Sequence, residues 1–156
     1  MNHEKYFKLA AEEAKNATCH RGNCGAVIVS EEGSVIGKGH NSPPRNDESQ
    51  RMCAITDSLD YAKKPKFDKT CCVHAEWSAI LDACKSHPDK IEGSVLYFMR
   101  IDEAGNFTEA GQPYCTVCSR LALESGVKVF ALWDHEPRLY DTKDYNKLSY
   151  EYHIAS

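Results

Sequence analysis

No stretch of this 156-residue chain approaches the roughly 18–20 consecutive apolar residues that a membrane-spanning helix needs. Nor is there a block of lysine and arginine. Basic residues come in pairs such as Lys63–Lys64, and 19 basic side chains face 23 acidic ones, for a net charge of -4. An extended nucleic-acid backbone selects a basic surface through phosphate neutralisation. The balance therefore speaks against DNA or duplex RNA as a partner, while leaving room for a pocket that takes one phosphate. The opening MNHEKYFKLAAEEAK is mixed and acidic and lacks the continuous apolar core of a secretory signal; a cytoplasmic protein without a membrane partner is expected. Internal repeats and linkers are also missing. The length suits one domain, 1–156, with a core of its own.

Cysteine is plentiful: eight, at 19, 24, 53, 71, 72, 84, 115 and 118. A secreted disulfide scaffold would explain that count, but the chain is long and its opening residues do not read as a signal segment. In a reducing compartment, clustered cysteines with histidine nearby read better as metal ligands.

Apolar periodicity orders the rest. Phe7, Ala10, Ala11 and Ala14 predict a first helix over 3–17. Gly25–Ser30 and Ser34–Lys38 predict a hairpin around Glu31-Glu32-Gly33. A polar, cysteine-bearing insertion follows at about 41–72, above the usual loop length, with a short helix near Met52–Ala62. Trp77, Ile80, Leu81 and Cys84 mark a helix over about 74–85, with Cys84 and Trp77 read as core. Val95–Arg100 reads as a strand and 102–113 as a turn region. Cys118, Leu121, Ala122 and Ser125 share one face of a third helix that Gly126 stops. Val127–Trp133 is a further strand, and Tyr145, Leu148 and Tyr152 suggest a closing helix. Helices alternating with central strands predict an α/β protein, a three-layer α/β/α sandwich on a mixed central sheet.

Two segments can carry chemistry: His74-Ala75-Glu76, at the start of one predicted helix, and Pro113-Tyr114-Cys115-Thr116-Val117-Cys118, entering another. Cys115 and Cys118 are three apart and face one way as the helix begins. Helix N-termini favour thiolates. Two thiolates and one imidazole make a three-ligand zinc site, with the fourth position left for water. Zinc makes hydroxide available near neutral pH. Glu76, two residues from His74, is placed to move protons between water and a substrate. A redox CxxC or a purely structural zinc is the plainer reading of each motif alone; a structural zinc has no need of a carboxylate beside an open position.

These motifs resemble the cytidine/deoxycytidylate deaminase superfamily, whose H-x-E…P-C-x-x-C signature and zinc chemistry are general knowledge of nucleobase deaminases. One extra residue, Tyr114, separates Pro113 from Cys115. CGAVIVS (24–30) resembles the family's first strand, GKGHNSPP (37–44) its substrate loop, and HAEWSAI (74–80) and YCTVCSRLALESGV (114–127) its two zinc helices. The loop Gly39-His40-Asn41-Ser42-Pro43-Pro44 and the cysteine-bearing insertion are most similar to the deoxycytidylate branch. The resemblance implies a cytidine deaminase-like fold, an oligomer of identical subunits and hydrolysis of a free pyrimidine nucleotide, dCMP to dUMP plus ammonia. Zinc-bound hydroxide would attack C4, and Glu76 would shuttle protons. It implies that Asn41 bonds the sugar hydroxyl or holds the substrate loop, that the backbone around Ala75 recognises the amino group, and that Val27 lies near the base. Arg45, Arg51 and Lys38 are candidates to neutralise a 5′-phosphate. It also implies a second, structural zinc on Cys19, Cys53, Cys71 and Cys72, with His20 and Cys24 in reserve. The family's common asparagine two residues after the catalytic glutamate is Ser78 here, beside Trp77, which keeps open a nucleoside, a base or a modified base as substrate. A purine or tRNA deaminase and a non-catalytic zinc protein are the remaining readings.

Overall fold

The computed structural model describes residues 2–58 and 71–154. Helix α1 (His3–Ala14) is capped by Asn2, whose side chain accepts a hydrogen bond from the Lys5 backbone N–H. It buries Tyr6, Phe7, Ala10, Ala11 and Ala14, the spacing that predicts it, and ends at Ala14 rather than residue 17. Strands β1 (Asn23–Val29) and β2 (Val35–His40) form the expected antiparallel hairpin. Within the insertion, a short helix α2 (Cys53–Thr56) takes up the first part of the span expected to be helical; the rest of that span, from residue 59, lies outside the described residues.

Strand β3 (Val95–Ile101) pairs antiparallel with β1 and parallel with β5 (Val129–Asp134). Strand β6 (Glu136–Asp141) folds back on β5, and the two-residue β4 (Phe107–Thr108) joins the end of β3. The order β2-β1-β3-β5-β6 makes a mixed sheet. The sequence expectation contains neither β4 nor β6. β6 reads EPRLYD and lies at the sheet edge with most of its residues exposed, so no apolar alternation announces it.

Strand alternation sorts the side chains into two clusters. Val27, Val29, Tyr97, Met99 and Ala131 face α1. Ala26, Ile28, Leu96, Phe98, Phe130 and Leu132 face the opposite way, against α3 (Ala75–Ser86), α4 (Thr116–Ser125) and α5 (Thr142–Glu151). Tyr145 of α5 stacks on Phe130 with ring centroids 3.8 Å apart. The result is the three-layer α/β/α sandwich that the alternation of elements predicts. No described helix is long and apolar enough to cross a membrane.

Two helices are rotated from their expected faces. α3 buries Ala75, Glu76, Ala79, Ile80 and Ala83, whereas Leu81 and Cys84 are exposed and Trp77 is half-buried. Cys84 is therefore not core. The cause lies in β2. Gly37 and Gly39 present no side chain, and a Cβ on either would collide with the backbone of α3 at Ala79 and with Ala83 or Ala75. The helix comes so close that only small residues fit beneath it, and the larger apolar ones are turned aside. Likewise α5 buries Thr142, Tyr145 and Ser149 and leaves Leu148 and Tyr152 exposed. α4 ends as expected at Gly126, whose φ of 98° turns the chain out of the helix.

The close packing of α3 on β2 is testable. Gly39→Ala should cost about 1–3 kcal/mol of unfolding free energy, as overpacking of a fitted contact does, because its Cβ meets backbone atoms rather than a movable side-chain tip. Urea unfolding would measure it; a loss within about 0.5 kcal/mol, the range of an ordinary surface change, would contradict the contact.

Candidate active site

The N-termini of α3 and α4 meet on the face of the sheet opposite α1. His74 is the residue before α3, in extended conformation, and makes no side-chain cap. A serine or aspartate would normally hold that position; here the imidazole is turned to another use. Cys115 precedes α4 and does cap it, its Sγ accepting the Cys118 backbone N–H at 3.3 Å. His74 Nδ1 lies 3.3 Å from Cys118 Sγ and 3.6 Å from Cys115 Sγ. These separations match the roughly 3.5 Å edge of a tetrahedron built from ordinary zinc–nitrogen and zinc–sulfur bonds. The two sulfurs lie 2.7 Å apart, shorter than the roughly 3.8 Å that two zinc–sulfur bonds of about 2.3 Å set in a tetrahedron, so they must part to admit an ion.

The electrostatics suit a metal. The hydrogen bond from Cys118, with help from His74 and the Cys118 backbone N–H, pulls the Cys115 thiol down to about 5. Full burial holds the Cys118 proton on well above the usual thiol range. One sulfur is thus ready to ligate and the other gives up its proton to a cation. Donor set, histidine–sulfur spacing and helix-end placement all fit zinc. His74, Cys115 and Cys118 form a compact metal-binding cluster; the other such cluster among the described residues, Glu109, Asp134 and His135, is mostly exposed.

Glu76 lies in the first turn of α3 and is 7% exposed. Burial pushes its carboxyl up to about 7, the Cys115 charge adding to the rise while His74 and Arg100 oppose it. A carboxyl that can both take and give a proton near neutral pH therefore sits beside the cluster. Ala75, at the first position of α3, is buried against the same core.

The other expected site residues divide. Asn41 holds its loop: its Oδ1 accepts the Cys24 backbone N–H at 2.8 Å and its Nδ2 donates to the Gly22 carbonyl at 2.8 Å. Val27 lies on the α1 side of the sheet, fully buried in that cluster. In β1 it is Cys24 and Ala26 that turn toward the site, because alternate residues face opposite ways. Arg45 is exposed with φ 57° in a tight turn. Arg51 is taken up locally, donating to Glu48 at 2.8 Å and to the Thr18 carbonyl at 2.7 Å. Lys38 is exposed and donates its backbone N–H to Asp82. Among the insertion cysteines, the Cys53 and Cys71 sulfurs are 3.6 Å apart, and Cys72 interacts with Cys71 and Cys19. They form a string of thiols rather than a compact set of ligands.

The sequence reading places Arg100 at the end of a strand and does not count it among the site residues. It follows Leu96 and Phe98 on the inward face of β3, opposite Cys24 in the β1 register. Its guanidinium stands within hydrogen-bonding reach of the Cys24 thiol and the Tyr114 hydroxyl, and close enough to Glu76 to act on its charge. A charged residue at the core-facing position of an otherwise apolar alternating strand is the signal that marks it. Tyr114 is itself braced by the C-terminal end: its carbonyl accepts from the His153 ring at 2.8 Å, and its ring meets Tyr152.

The Glu76 environment predicts a pH effect on the metal-free protein. The folded carboxyl holds its proton up to about 7, while the unfolded one releases it near 4.5. Its contribution to stability is full below about 4.5 and is lost as pH rises toward about 7, where the folded carboxyl must ionise in a buried site. Thermal unfolding of chelator-treated protein across this window should therefore show a falling limb that Glu76→Gln flattens. Parallel curves for parent and variant would contradict the burial argument.

Comparison with known proteins agrees with this geometry. The sequence model of the cytidine and deoxycytidylate deaminase zinc-binding region matches residues 1–132. The dCMP deaminase of cyanophage S-TIM5, solved with dCMP and dUMP, is similar over 81% of this chain and 76% of its own, at 25% identity and a TM-score of 0.55. Cytidine deaminase from Burkholderia pseudomallei aligns over 93% of this chain and 96% of its own at 16% identity and a TM-score of 0.60. That from Mycobacterium tuberculosis aligns over 92% and 93% at 18% identity and 0.55. These last two likenesses bear on the fold alone. A search of curated sequences gives no match. With the family model covering most of its length and the His/Cys/Cys cluster in place, the chain belongs to the cytidine and deoxycytidylate deaminase zinc-binding family.

Proposed function

We propose that this protein hydrolyses the amino group of a free pyrimidine nucleotide, dCMP to dUMP plus ammonia, and that residues 1–156 act as one domain with a polar insertion at about 41–72. The observation that carries the reading is the convergence of three ligand atoms, from two helix N-termini, beside a buried carboxyl whose proton affinity is near neutral. His74, Cys115 and Cys118 would hold zinc. When bound, the ion supplies the Lewis acidity that lets water ionise near neutral pH. Glu76 takes a proton from the attacking water, delivers one to the ring nitrogen beside C4, and then protonates the amine that leaves as ammonia. Water thus supplies the oxygen that C4 gains; one of its hydrogens stays on the ring nitrogen of the product, and the other joins the two of the amino group in the departing ammonia.

The choice of dCMP rests on the likeness to the S-TIM5 enzyme, whose structure holds dCMP and dUMP, and on the loop tied down by Asn41. Arg100 adds a cation to the same wall, which suits a substrate rich in oxygen acceptors. A small molecule is the expected partner, with neither extended nucleic acid nor membrane, in a cytoplasmic homo-oligomer.

Two experiments test this. A panel of cytosine, cytidine, deoxycytidine, CMP and dCMP scored for ammonia release should favour dCMP. On the best substrate, Glu76→Gln should lower turnover by roughly 10²–10⁴-fold with the fold retained; turnover within a few-fold of the parent would remove Glu76 as the proton carrier. Metal analysis addresses the ligands. A second, structural zinc on Cys19, Cys53, Cys71 and Cys72 belongs to the same proposal and requires the string of thiols to draw together. About two zincs per chain are expected, falling by one in Cys115→Ala. One zinc with those four thiols freely titratable would eliminate the structural site, and a metal content indifferent to Cys115→Ala would eliminate the catalytic one.

A further inference from the structure

Trp77 touches two of the three ligands and has a role that the family's common pattern does not supply. It lies three residues after His74, one turn along α3, so the two side chains share a helix face. The rings are stacked, with centroids 4.2 Å apart and planes 8° from parallel. Trp77 is half-buried, but its indole Nε1 is fully enclosed and makes no hydrogen bond, to sulfur or oxygen, among the described residues. The buried group that feels this N–H is the Cys118 sulfur, itself wholly buried, with no hydrogen bond formed between them in the metal-free site. A buried donor without a partner is costly, and a thiolate is the strongest acceptor this corner of the core can offer.

We propose that Trp77 is a positioning residue of the zinc site, its ring fixing the plane of the His74 imidazole and its Nε1–H donating to the Cys118 thiolate. The inference rests on the zinc reading above and deepens it. Stacking removes the rotational freedom that would let His74 swing its Nδ1 away from the two sulfurs, which now lie 3.3 and 3.6 Å from it. The N–H draws electron density off Cys118, so a metal held there receives less charge from sulfur and stays more acidic. Partners of this kind, one step behind the ligands, commonly govern metal affinity or activity by 10–100-fold. The indole does two jobs with two parts of one side chain, and they can be separated by substitution. Trp77→Phe keeps a ring for the stack and deletes the donor. Trp77→Leu deletes both.

The test uses the full chain loaded with zinc or with cobalt(II), whose sulfur-to-metal charge-transfer band reports the electron richness of the thiolates. Trp77→Phe should move that band to lower energy while keeping zinc affinity within a few-fold of the parent. Trp77→Leu should show the same spectral shift and, in competition with a chromophoric chelator, a zinc affinity lower by roughly 10–100-fold. Circular dichroism identifies any variant that has failed to fold, and Trp77→Phe remains the decisive case because it conserves the aromatic packing. A Trp77→Phe band identical to the parent's would overturn the hydrogen bond, and parental zinc affinity in Trp77→Leu would overturn the positioning of His74. If Cys115→Ala left the parent's metal content unchanged, the zinc reading would fall and this inference with it; loss of metal in Cys115→Ala with silent Trp77 variants would refute the inference alone.

Discussion

Helix α3 lies against β2 at a distance that only glycine on the strand and alanine on the helix allow. Gly37 and Gly39 would drive any Cβ into the helix backbone, and Ala75, Ala79 and Ala83 are the residues the helix sets over them. That contact fixes the height and rotation of α3, and with them the place of its first turn. His74 and Glu76 follow from it. A helix held off by larger side chains would move its N-terminus outward, and His74 Nδ1 would lose its 3.3 and 3.6 Å approaches to the sulfurs of α4. The rotation that turns Leu81 and Cys84 to the surface has the same origin: packing distance, not hydrophobicity, selects the buried face.

The strand ends beside this helix are held by one side chain. Asn41 takes the Cys24 N–H and gives to the Gly22 carbonyl, which stitches the end of β2 to the beginning of β1. The chain then runs into the Ser42–Val73 bridge, which brings it back to the residue before His74. The insertion between them therefore leaves and re-enters the fold at one point, beside the metal cluster. Its described residues are tied as well to the segment after α1, through Arg51 to the Thr18 carbonyl and Arg21 to Asp57.

What the sequence reveals about this molecule follows how strongly each feature is encoded locally. The ligands are legible because HxE and CxxC put rare, chemically distinctive residues at fixed offsets from helix starts. α1 and the β1–β2 hairpin are legible from their periodicity. β6 is not, because an edge strand buries little and EPRLYD carries no alternation. The buried face of α3 is not, because it is set by glycines far away in sequence. Val27 shows a third limit. One residue of register separates a site-facing position from one beneath α1, and resemblance to a strand motif does not fix which face a particular residue takes. Arg100 is the converse case, a residue outside every motif whose placement needs only the alternation Leu96, Phe98, Arg100.

The charge arrangement at the site explains why a glutamate there can be buried and still ionise. Two thiolates and a neutral imidazole around a dication would sum to no net charge, so loading the cluster does not impose a full positive charge on Glu76. In the metal-free site its proton affinity is set by burial, which raises it, by His74, which lowers it, by the Cys115 charge, which raises it, and by the Arg100 guanidinium nearby, which lowers it. The helix N-terminus beneath it also favours the ionised form. A carboxyl exposed to water would sit near its ordinary value, stay ionised at neutral pH and be too weak a base to take a proton from water. A carboxyl buried without a cation or a helix end would keep its proton and could not act as a base. Between those limits, burial of 93% of its surface with Arg100 at the edge places Glu76 near neutrality, the range in which one group can accept a proton from water and return it to a leaving amine.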